Sequence, residues 1–237
     1  MKTRSSDILE GPGWANVRAL YKADGYSQEE LEKPIIAVVN AYSSICPGHV
    51  IFRQLSERVR EGIQAGGGTP VELGMIGACD GIAMGHKGMK YILPTRQMIA
   101  DSIEAMAEAH RLDGLVLLGS CDKIIPGMLM GAMRVNLPTI LVNGGPSLPG
   151  RMKKDNPYGG EFIDHSIIQE SEGALQKGMI SKEKIMQCRP WALVPCWELQ
   201  ILWGVWLKQW ESCYLERLLF LLYTVKDWQQ GIGVENR

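Results

Sequence analysis

The chain has 237 residues, of which 46% are hydrophobic, and a formal net charge of -1. This length allows one or two globular domains with a buried core, while the near-neutral charge and 7% aromatic residues exclude the pattern of a nucleic-acid or acidic-membrane binder. No run approaches the roughly 18–20 apolar residues of a membrane span, and the opening "MKTRSSDILEGPGW" lacks the apolar segment of a signal peptide. We therefore expect a cytoplasmic protein without nucleic-acid or membrane partners.

The first half of the chain alternates between strand and helix patterns. "PIIAVVNAY" is a continuous apolar run that predicts a buried strand. "FRQLSERVREGIQAGGG" places Leu55, Val59 and Ile63 four residues apart and closes with glycines, which predicts an amphipathic helix. "TPVELGMIGA" predicts a second strand.

The alternation continues to about residue 150. "RQMIADSIEAMAEAHR" has helical spacing, "DGLVLLGS" predicts a third strand, "GMLMGAMRVN" a short helix and "TILVNGG" a fourth strand. Repeated β-α-β units of this length favour parallel pairing with right-handed crossovers. The predicted fold class is therefore α/β, with a doubly wound, mostly parallel sheet and helices on both faces.

Polar loops follow each predicted strand, and parallel strands bring such loops to one edge of the sheet. Thiolates bind iron–sulfur clusters, whereas carboxylates suit Mg²⁺ or Mn²⁺. The six cysteines have no CxxC spacing and are too sparse for a disulfide scaffold, so free thiols are expected. The side chains expected at this edge are Asn40, Cys46, Cys79, Asp80, His86, Cys121, Asp122 and Lys123.

Each of these residues also has a purely structural interpretation. A cysteine in such a loop is often only a small buried apolar residue, and Asp80 or Asp122 can serve only as a helix N-cap. His86, which is flanked by glycines, fits a turn better than a catalytic role. The case for a site rests on their convergence.

The motif "CDKIIPGMLMG" resembles the signature of the dihydroxy-acid and phosphogluconate dehydratase family. "KPIIAVVNAY", "PGHV", "CDGIAMGHKGMKYILPTRQMIADSIEAM" and "LPTILVNGGP" resemble other blocks of that family in the same order. The resemblance covers residues 1–188, which we expect to form the cluster- and metal-binding α/β domain. The block "GIAMGHKGMKYILPTR" is most similar to members that act in branched-chain amino-acid synthesis.

The resemblance implies an iron–sulfur hydro-lyase that converts a 2,3-dihydroxy acid, of the 2,3-dihydroxyisovalerate type, to a 2-oxo acid. Cys121 would be a cluster ligand. Asp80, Asp122 and Lys123, the lysine as a carbamate, would bind Mg²⁺. The cluster would act as Lewis acid on the C3 hydroxyl while Mg²⁺ orients the substrate. The full-length enzyme would be a homodimer.

The first cysteine loop departs from part of the family. Members with a [2Fe–2S] cluster carry a cysteine just after the proline, whereas Gly48 follows Pro47 here and Cys46 precedes it. This "PGH" arrangement is similar to members with a [4Fe–4S] cluster, so the resemblance favours [4Fe–4S] over [2Fe–2S], with Cys46 as a further candidate ligand. The family's other cluster cysteine lies in a "GSC" motif shortly after the position of Cys188, and no such motif follows here.

Composition changes abruptly near Cys188. Six of the seven tryptophans but only three of the 27 glycines lie after residue 190. Back-translation of "WELQILWGVWLKQWES", with each codon started at the third base of the one before, permits a sequence that resembles the family's next block. We therefore expect residues 189–237 to be an out-of-frame tail; a genuine Trp-rich helix is the alternative.

The resemblance further implies a second, β-rich domain that supplies a catalytic serine base and a glutamate ligand of Mg²⁺. The chain lacks that domain and contains no catalytic base of its own, so a truncated and inactive form is expected. Two other interpretations stay open: a fragment of a sugar-acid or phosphogluconate dehydratase, and a non-catalytic α/β module whose Trp-rich tail is an interaction helix.

Overall fold

The computed structural model describes residues 3–144 and the backbone of two short strands at 150–151 and 162–163. The helices are α1 Ser6–Leu9, α2 Ala15–Ala23, α3 Gln28–Leu31, α4 Phe52–Ala65, α5 Asp80–Ala83, α6 Met89–Ala109 and α7 Ile124–Val135, with 3₁₀ turns at Pro12–Trp14 and Pro47–His49. The strands are β1 Ile35–Asn40, β2 Thr69–Gly74, β3 Gly114–Leu118, β4 Thr139–Val142, β5 Gly150–Arg151 and β6 Phe162–Ile163. Cys188, Cys196 and the expected tail at 189–237 lie outside the described residues.

Four of the strands form one parallel sheet in the order β2-β1-β3-β4. Strand β1 lies between two neighbours, and Val39 is in register with Leu73 on one side and Leu117 on the other. A strand in this position is covered on both faces, which explains why its sequence is continuously apolar rather than alternating. The separate β5–β6 pair is antiparallel.

Helices cover both faces of this sheet, as the sequence pattern predicted. On one face, Ala37 and Val39 belong to the larger apolar cluster, which also includes residues of α6 and α7. On the other face, Val38 and Leu118 pack with Phe52 and with the apolar side of α4. The doubly wound α/β class is therefore confirmed.

Two helices begin earlier than their sequence pattern suggested, and both contain a proline near the start. Helix α7 begins at Ile124, so Pro126 occupies its third position, where the missing N–H would have had no helical partner. Helix α6 begins at Met89 and includes Pro94. The proline removes one backbone donor from the second turn, and the Thr95 hydroxyl donates to the Ile92 carbonyl nearby at 2.6 Å.

Asp113 joins the N-terminal segment to the sheet. Its carboxylate accepts hydrogen bonds from the Ser5 backbone N–H at 3.0 Å, the Ser5 hydroxyl at 2.7 Å and the Ile35 N–H at 2.7 Å. One side chain thus fixes the start of β1 against the start of β3 and holds the segment around α1 in place. Among the described helices, none has the length and apolar character that crossing a membrane requires.

Helices α6 and α7 approach each other closely because α7 carries glycines at the contact. A Cβ added to Gly127 would lie 2.7 Å from the Arg96 carbonyl oxygen, and one added to Gly131 would lie 2.8 Å from the Ile103 Cβ. Neither neighbour is the far end of a flexible side chain. This contact sets the position of α7, whose N-terminal end follows the "CDK" motif.

We expect Gly127→Ala to lower the free energy of unfolding by about 1–3 kcal/mol, because overpacking against backbone outweighs the gain in helix propensity. Gly62→Ala in α4 is the matched control, since Gly62 is exposed and an added Cβ meets nothing within 4 Å. It should stabilise by up to about 1 kcal/mol. Urea unfolding followed by circular dichroism measures the free energy of unfolding of both variants. Equal effects of the two variants would contradict this account of the α6–α7 contact.

Candidate metal centre

Three thiols meet at the carboxyl edge of the sheet, each on the loop that follows a different strand. Cys46 follows β1, Cys79 follows β2 and Cys121 follows β3. Their Sγ atoms all lie within 4.8 Å of one another, and those of Cys46 and Cys121 are 4.0 Å apart. All three are buried and free of disulfide bonds. The structure thus brings together the three cysteine loops that the strand pattern directed to one edge.

Asp80 is the carboxylate closest to these thiols. The Cys121 thiol donates to Asp80 Oδ1 at 2.8 Å, and Asp80 is only 6% exposed. Asp80 is the first residue of α5, whose N-cap is Cys79, and no side chain caps this helix. Asp80 therefore does not serve as the N-cap of this helix.

Asp122 and Lys123 follow Cys121 directly in the chain. Their side chains are about a fifth exposed and form an ion pair with each other. Lys123 is the N-cap residue of α7, and Asp122 lies one residue before it, so Asp122 does not cap the helix either.

The backbone at Cys121 has a left-handed conformation, with φ of +79°. Such a conformation is uncommon for a residue with a side chain and costs of order 1–3 kcal/mol. The Cys121 carbonyl accepts a bond from the Ile125 N–H in the first turn of α7. The surrounding structure therefore holds Cys121 in a strained geometry, which is a common property of functional sites.

His49 links two of the cysteine loops from a fully buried position. Its Nδ1 lies 2.6 Å from the Ala41 carbonyl oxygen, and its Nε2 lies 2.9 Å from the Ser120 carbonyl oxygen. Burial lowers the pKa of His49, and the Ser120 and Ala41 carbonyls oppose that shift. The ring thus connects the loop after β1 to the residue that precedes Cys121.

Two glycines allow the loops at this edge to pack closely. A Cβ on Gly77 would lie 2.5 Å from the Ala41 carbonyl oxygen, and one on Gly144 would lie 2.9 Å from the Gly48 carbonyl oxygen. Gly144 also donates its N–H to the Ser120 hydroxyl at 3.1 Å. The loops after all four strands are therefore in mutual contact.

The close contacts among the three thiols shift their pKa values in different directions. Hydrogen bonds from Cys121 and Cys46 lower the pKa of Cys79, despite its burial. The pKa of Cys121 is raised by its hydrogen bonds with Cys46 and Cys79 and by burial. The bond with Cys121 lowers the pKa of Cys46, but the bond with Cys79 and burial raise it more. A second and third thiolate here need a compensating cation.

This set of donors fits a soft metal ion or an iron–sulfur cluster. Thiolates are the ligands that such centres prefer, and metal binding removes their protons. Asp80 contacts the Cys121 thiol, Asp122 and Lys123 follow Cys121 in the chain, and carboxylate oxygens are the ligands of hard cations such as Mg²⁺. The donor chemistry therefore fits a soft metal centre with a hard cation next to it.

The sequence analysis expected Cys79 at this edge but gave it no ligand role, and it did not name His49 as a site residue. For Cys79 the signal was present, since it follows β2 at the same edge as the other two thiols. For His49 no sequence pattern indicated that its ring bridges two loops. His86 is exposed in a turn, where its Nδ1 accepts a bond from the Gly88 N–H at 3.0 Å.

Comparison with known proteins decides the family. Residues 33–195 match the family model described as the dihydroxy-acid/6-phosphogluconate dehydratase N-terminal region. The chain belongs to this family. A dihydroxy-acid dehydratase of Pyrococcus abyssi is 47% identical over 193 residues, which cover 81% of the chain and 34% of that relative. One of Methanococcus maripaludis is 52% identical over 181 residues, covering 76% of the chain and 32% of the relative.

The chain therefore spans about a third of the length of the curated relatives it matches. The matched region contains all three thiols, both aspartates and Lys123. The resemblance carried by "CDKIIPGMLMG" is thus confirmed at the level of the dehydratase family.

We expect His49→Ala to lower the free energy of unfolding by about 2–4 kcal/mol, because it removes the ring N–H that donates to a buried loop carbonyl and opens a cavity. It should also reduce iron uptake during anaerobic reconstitution, since the loop that carries Cys121 loses its link to the first loop. His110→Ala is the matched control, because His110 is exposed at the end of α6. Its effect should stay within about 0.5 kcal/mol.

Denaturant unfolding compares the stability of the two purified variants, and iron analysis compares their iron content after reconstitution. Unchanged stability and iron content in His49→Ala would show that the ring does not hold the two loops together.

Proposed function

We propose that this chain is the N-terminal part of a hydro-lyase that dehydrates a 2,3-dihydroxy acid to a 2-oxo acid. The proposed substrate is of the 2,3-dihydroxyisovalerate type, in valine and isoleucine biosynthesis, and the full-length enzyme is a cytoplasmic homodimer. The observation that carries the proposal is the group of three buried free thiols beside Asp80, in a chain of the dehydratase family.

The proposed ligands divide by chemistry. Cys121 and Cys46 supply thiolates for an iron–sulfur cluster, preferably [4Fe–4S], while Asp80, Asp122 and a carbamylated Lys123 supply oxygens for Mg²⁺. When bound, these groups would supply Lewis acidity toward the C3 hydroxyl and positive charge toward the substrate carboxylate and C2 oxygen. Contact between Cys121 and Asp80 supports adjacent sites, because one hydrogen bond joins a proposed ligand of each.

The reaction balances without an oxidant or reductant. A base removes the proton on C2, the C3–oxygen bond breaks, and the C3 hydroxyl leaves with one proton as water. The resulting enol of the 2-oxo acid then moves its hydroxyl proton to C3 and becomes the ketone. The residues described here bind and orient the substrate and limit water access, since the thiols and Asp80 are buried. The base itself belongs to the part of the relatives that this chain does not share.

Lys123 fits this scheme only after modification. As an ammonium it neutralises Asp122 through their ion pair and competes with a cation for that carboxylate. Reaction of the neutral amine with CO₂ forms a nitrogen–carbon bond, releases a proton and turns the positive side chain into an anionic carbamate. The modified side chain would no longer compete for Asp122 and would add an oxygen ligand of its own.

We also propose that residues 1–188 form the native domain and that residues 189–237 are translated out of frame. The end of the family match at residue 195 and the Trp-rich, Gly-poor composition after residue 190 support this proposal. The alternative Trp-rich interaction helix lies outside the described residues.

Resequencing the coding DNA from the codon of Ile185 onward tests the tail. We expect a base insertion or deletion near the codon of Cys188 whose correction opens a frame that continues the family pattern, including a "GSC" motif. A confirmed reading frame with no such alternative frame downstream would contradict the proposal and would favour a genuine Trp-rich segment.

To test the activity, residues 1–188 are joined in frame to the remaining two thirds of the Methanococcus maripaludis relative and reconstituted anaerobically with iron, sulfide and Mg²⁺. We expect the joined protein to dehydrate 2,3-dihydroxyisovalerate faster than gluconate or 6-phosphogluconate. Asp122→Asn should raise the Mg²⁺ concentration needed for half-maximal rate by at least about tenfold while the iron content stays the same.

Asp101→Asn is the matched control, since Asp101 pairs with Arg134 on the surface of α6 and α7. Its Mg²⁺ requirement should equal that of the unsubstituted protein. Faster turnover of gluconate or 6-phosphogluconate would move the proposal to the sugar-acid branch of the family. An iron-loaded protein with no dehydratase activity on any of the three acids would overturn it.

A further inference from the structure

The proposed function leaves one buried thiol at the site without a role. Cys79 is 6% exposed and precedes Asp80 directly, yet the resemblance assigns cluster binding to Cys121 and to a cysteine of the "GSC" motif beyond Cys188, and within the described residues it offers only Cys46 as a further ligand. Cys79 has the same position relative to β2 that Cys46 and Cys121 have to their own strands. Its Sγ lies within 4.8 Å of both of theirs.

The geometry of the three thiols is that of a ligand set rather than of apolar packing alone. The sulfurs of Cys46 and Cys121 are 4.0 Å apart, and that of Cys79 lies within 4.8 Å of both, so the three loops converge on one point. Cysteines that served only as small apolar residues would have no reason to group their sulfurs beside a buried carboxylate.

Each of the three cysteines is also anchored through its own backbone. The Cys46 carbonyl accepts from the His49 N–H at 2.9 Å, the Cys79 carbonyl from the Ala83 N–H at 3.3 Å, and the Cys121 carbonyl from the Ile125 N–H at 3.4 Å. Three separate loops therefore present their sulfurs without needing to refold. Such preorganisation is what a metal site requires of its ligands.

We propose that Cys79 is the third thiolate ligand of the iron centre, so that Cys46, Cys79 and Cys121 together hold it. This inference rests on the proposed function, and it assigns the centre three thiolate ligands within residues 46–121.

The test uses the full chain, anaerobically, with Co²⁺ alone as a probe and then with Fe²⁺ and sulfide. Thiolate-to-cobalt charge-transfer absorption grows with the number of thiolate ligands. In Cys79→Ser we expect this absorption per bound Co²⁺ to fall by about a third, as three thiolates become two. We also expect Co²⁺ affinity to weaken at least about tenfold, with a matching loss of iron and sulfide. Cys213→Ser, which removes a thiol outside the described residues, should change neither.

Cys121→Ser separates failure of this inference from failure of the proposed function. If Cys121→Ser loses iron and sulfide while Cys79→Ser keeps full absorption and full loading, the third ligand is not Cys79 and the proposed function stands. If the unsubstituted chain takes up neither Co²⁺ nor iron and sulfide, the proposed function fails at its metal centre, and this inference fails with it.

A second measurement covers the case in which Cys79→Ser does not fold. In the unsubstituted chain, alkylation of each thiol in mild denaturant is followed by peptide mass spectrometry with and without Co²⁺. We expect Co²⁺ to protect Cys46, Cys79 and Cys121 together and to leave Cys213 unprotected. Protection of Cys46 and Cys121 with continued alkylation of Cys79 would overturn the inference.

Discussion

Every proposed ligand in this chain owes its position to the parallel pairing of the sheet. In the order β2-β1-β3-β4, four carboxyl ends meet at one edge, so residues more than 70 positions apart in the chain come within contact distance. Had β1 paired antiparallel with either neighbour, Cys46 would lie at the opposite edge from the thiol on that neighbour. The continuous burial of β1 maintains this pairing, because a register shift would expose or misplace Ala37, Val38 and Val39 together.

The edge itself is held by polar contacts rather than by the apolar core. His49 and the Ser120 hydroxyl connect the loops after β1, β3 and β4, while Gly77 lets the loop after β2 approach the first. These contacts support a strained backbone at Cys121, and the strain fixes the direction of a thiol that donates to Asp80. The apolar core thus determines where the edge is, and a few buried polar groups determine how its side chains point.

The sequence predicted the fold well because the relevant signals are local. Apolar runs bounded by glycine and proline located the four strands of the parallel sheet, and helical spacing located α4. The starts of α6 and α7 were predicted too late, since the helical spacing was recognised only from Arg96 and Gly127 onward, whereas the helices begin at Met89 and Ile124. A proline in the first turn removes no helical hydrogen bond, so Pro126 is compatible with α7.

The site was predicted less completely because its decisive features are not local. That Cys46, Cys79 and Cys121 share an edge follows from strand order, which the β-α-β pattern indicated. Whether their sulfurs point at one another depends on loop conformation, on the left-handed φ of Cys121 and on the ring of His49. Family resemblance supplied ligand roles for Cys121 and Asp80, but it assigned none to Cys79, whose proposed role rests on geometry rather than on a motif.

Metal binding at such an edge is coupled to its local order more than to the stability of the core. Without a cation, the contacts with Cys121 and Cys46 lower the pKa of the Cys79 thiol. Further ionisation would place like charges within 4.8 Å in a buried setting, beside Asp80. A bound metal removes that penalty and connects three loops at once, so its binding energy goes into fixing the edge. The sheet beneath packs against α4, α6 and α7.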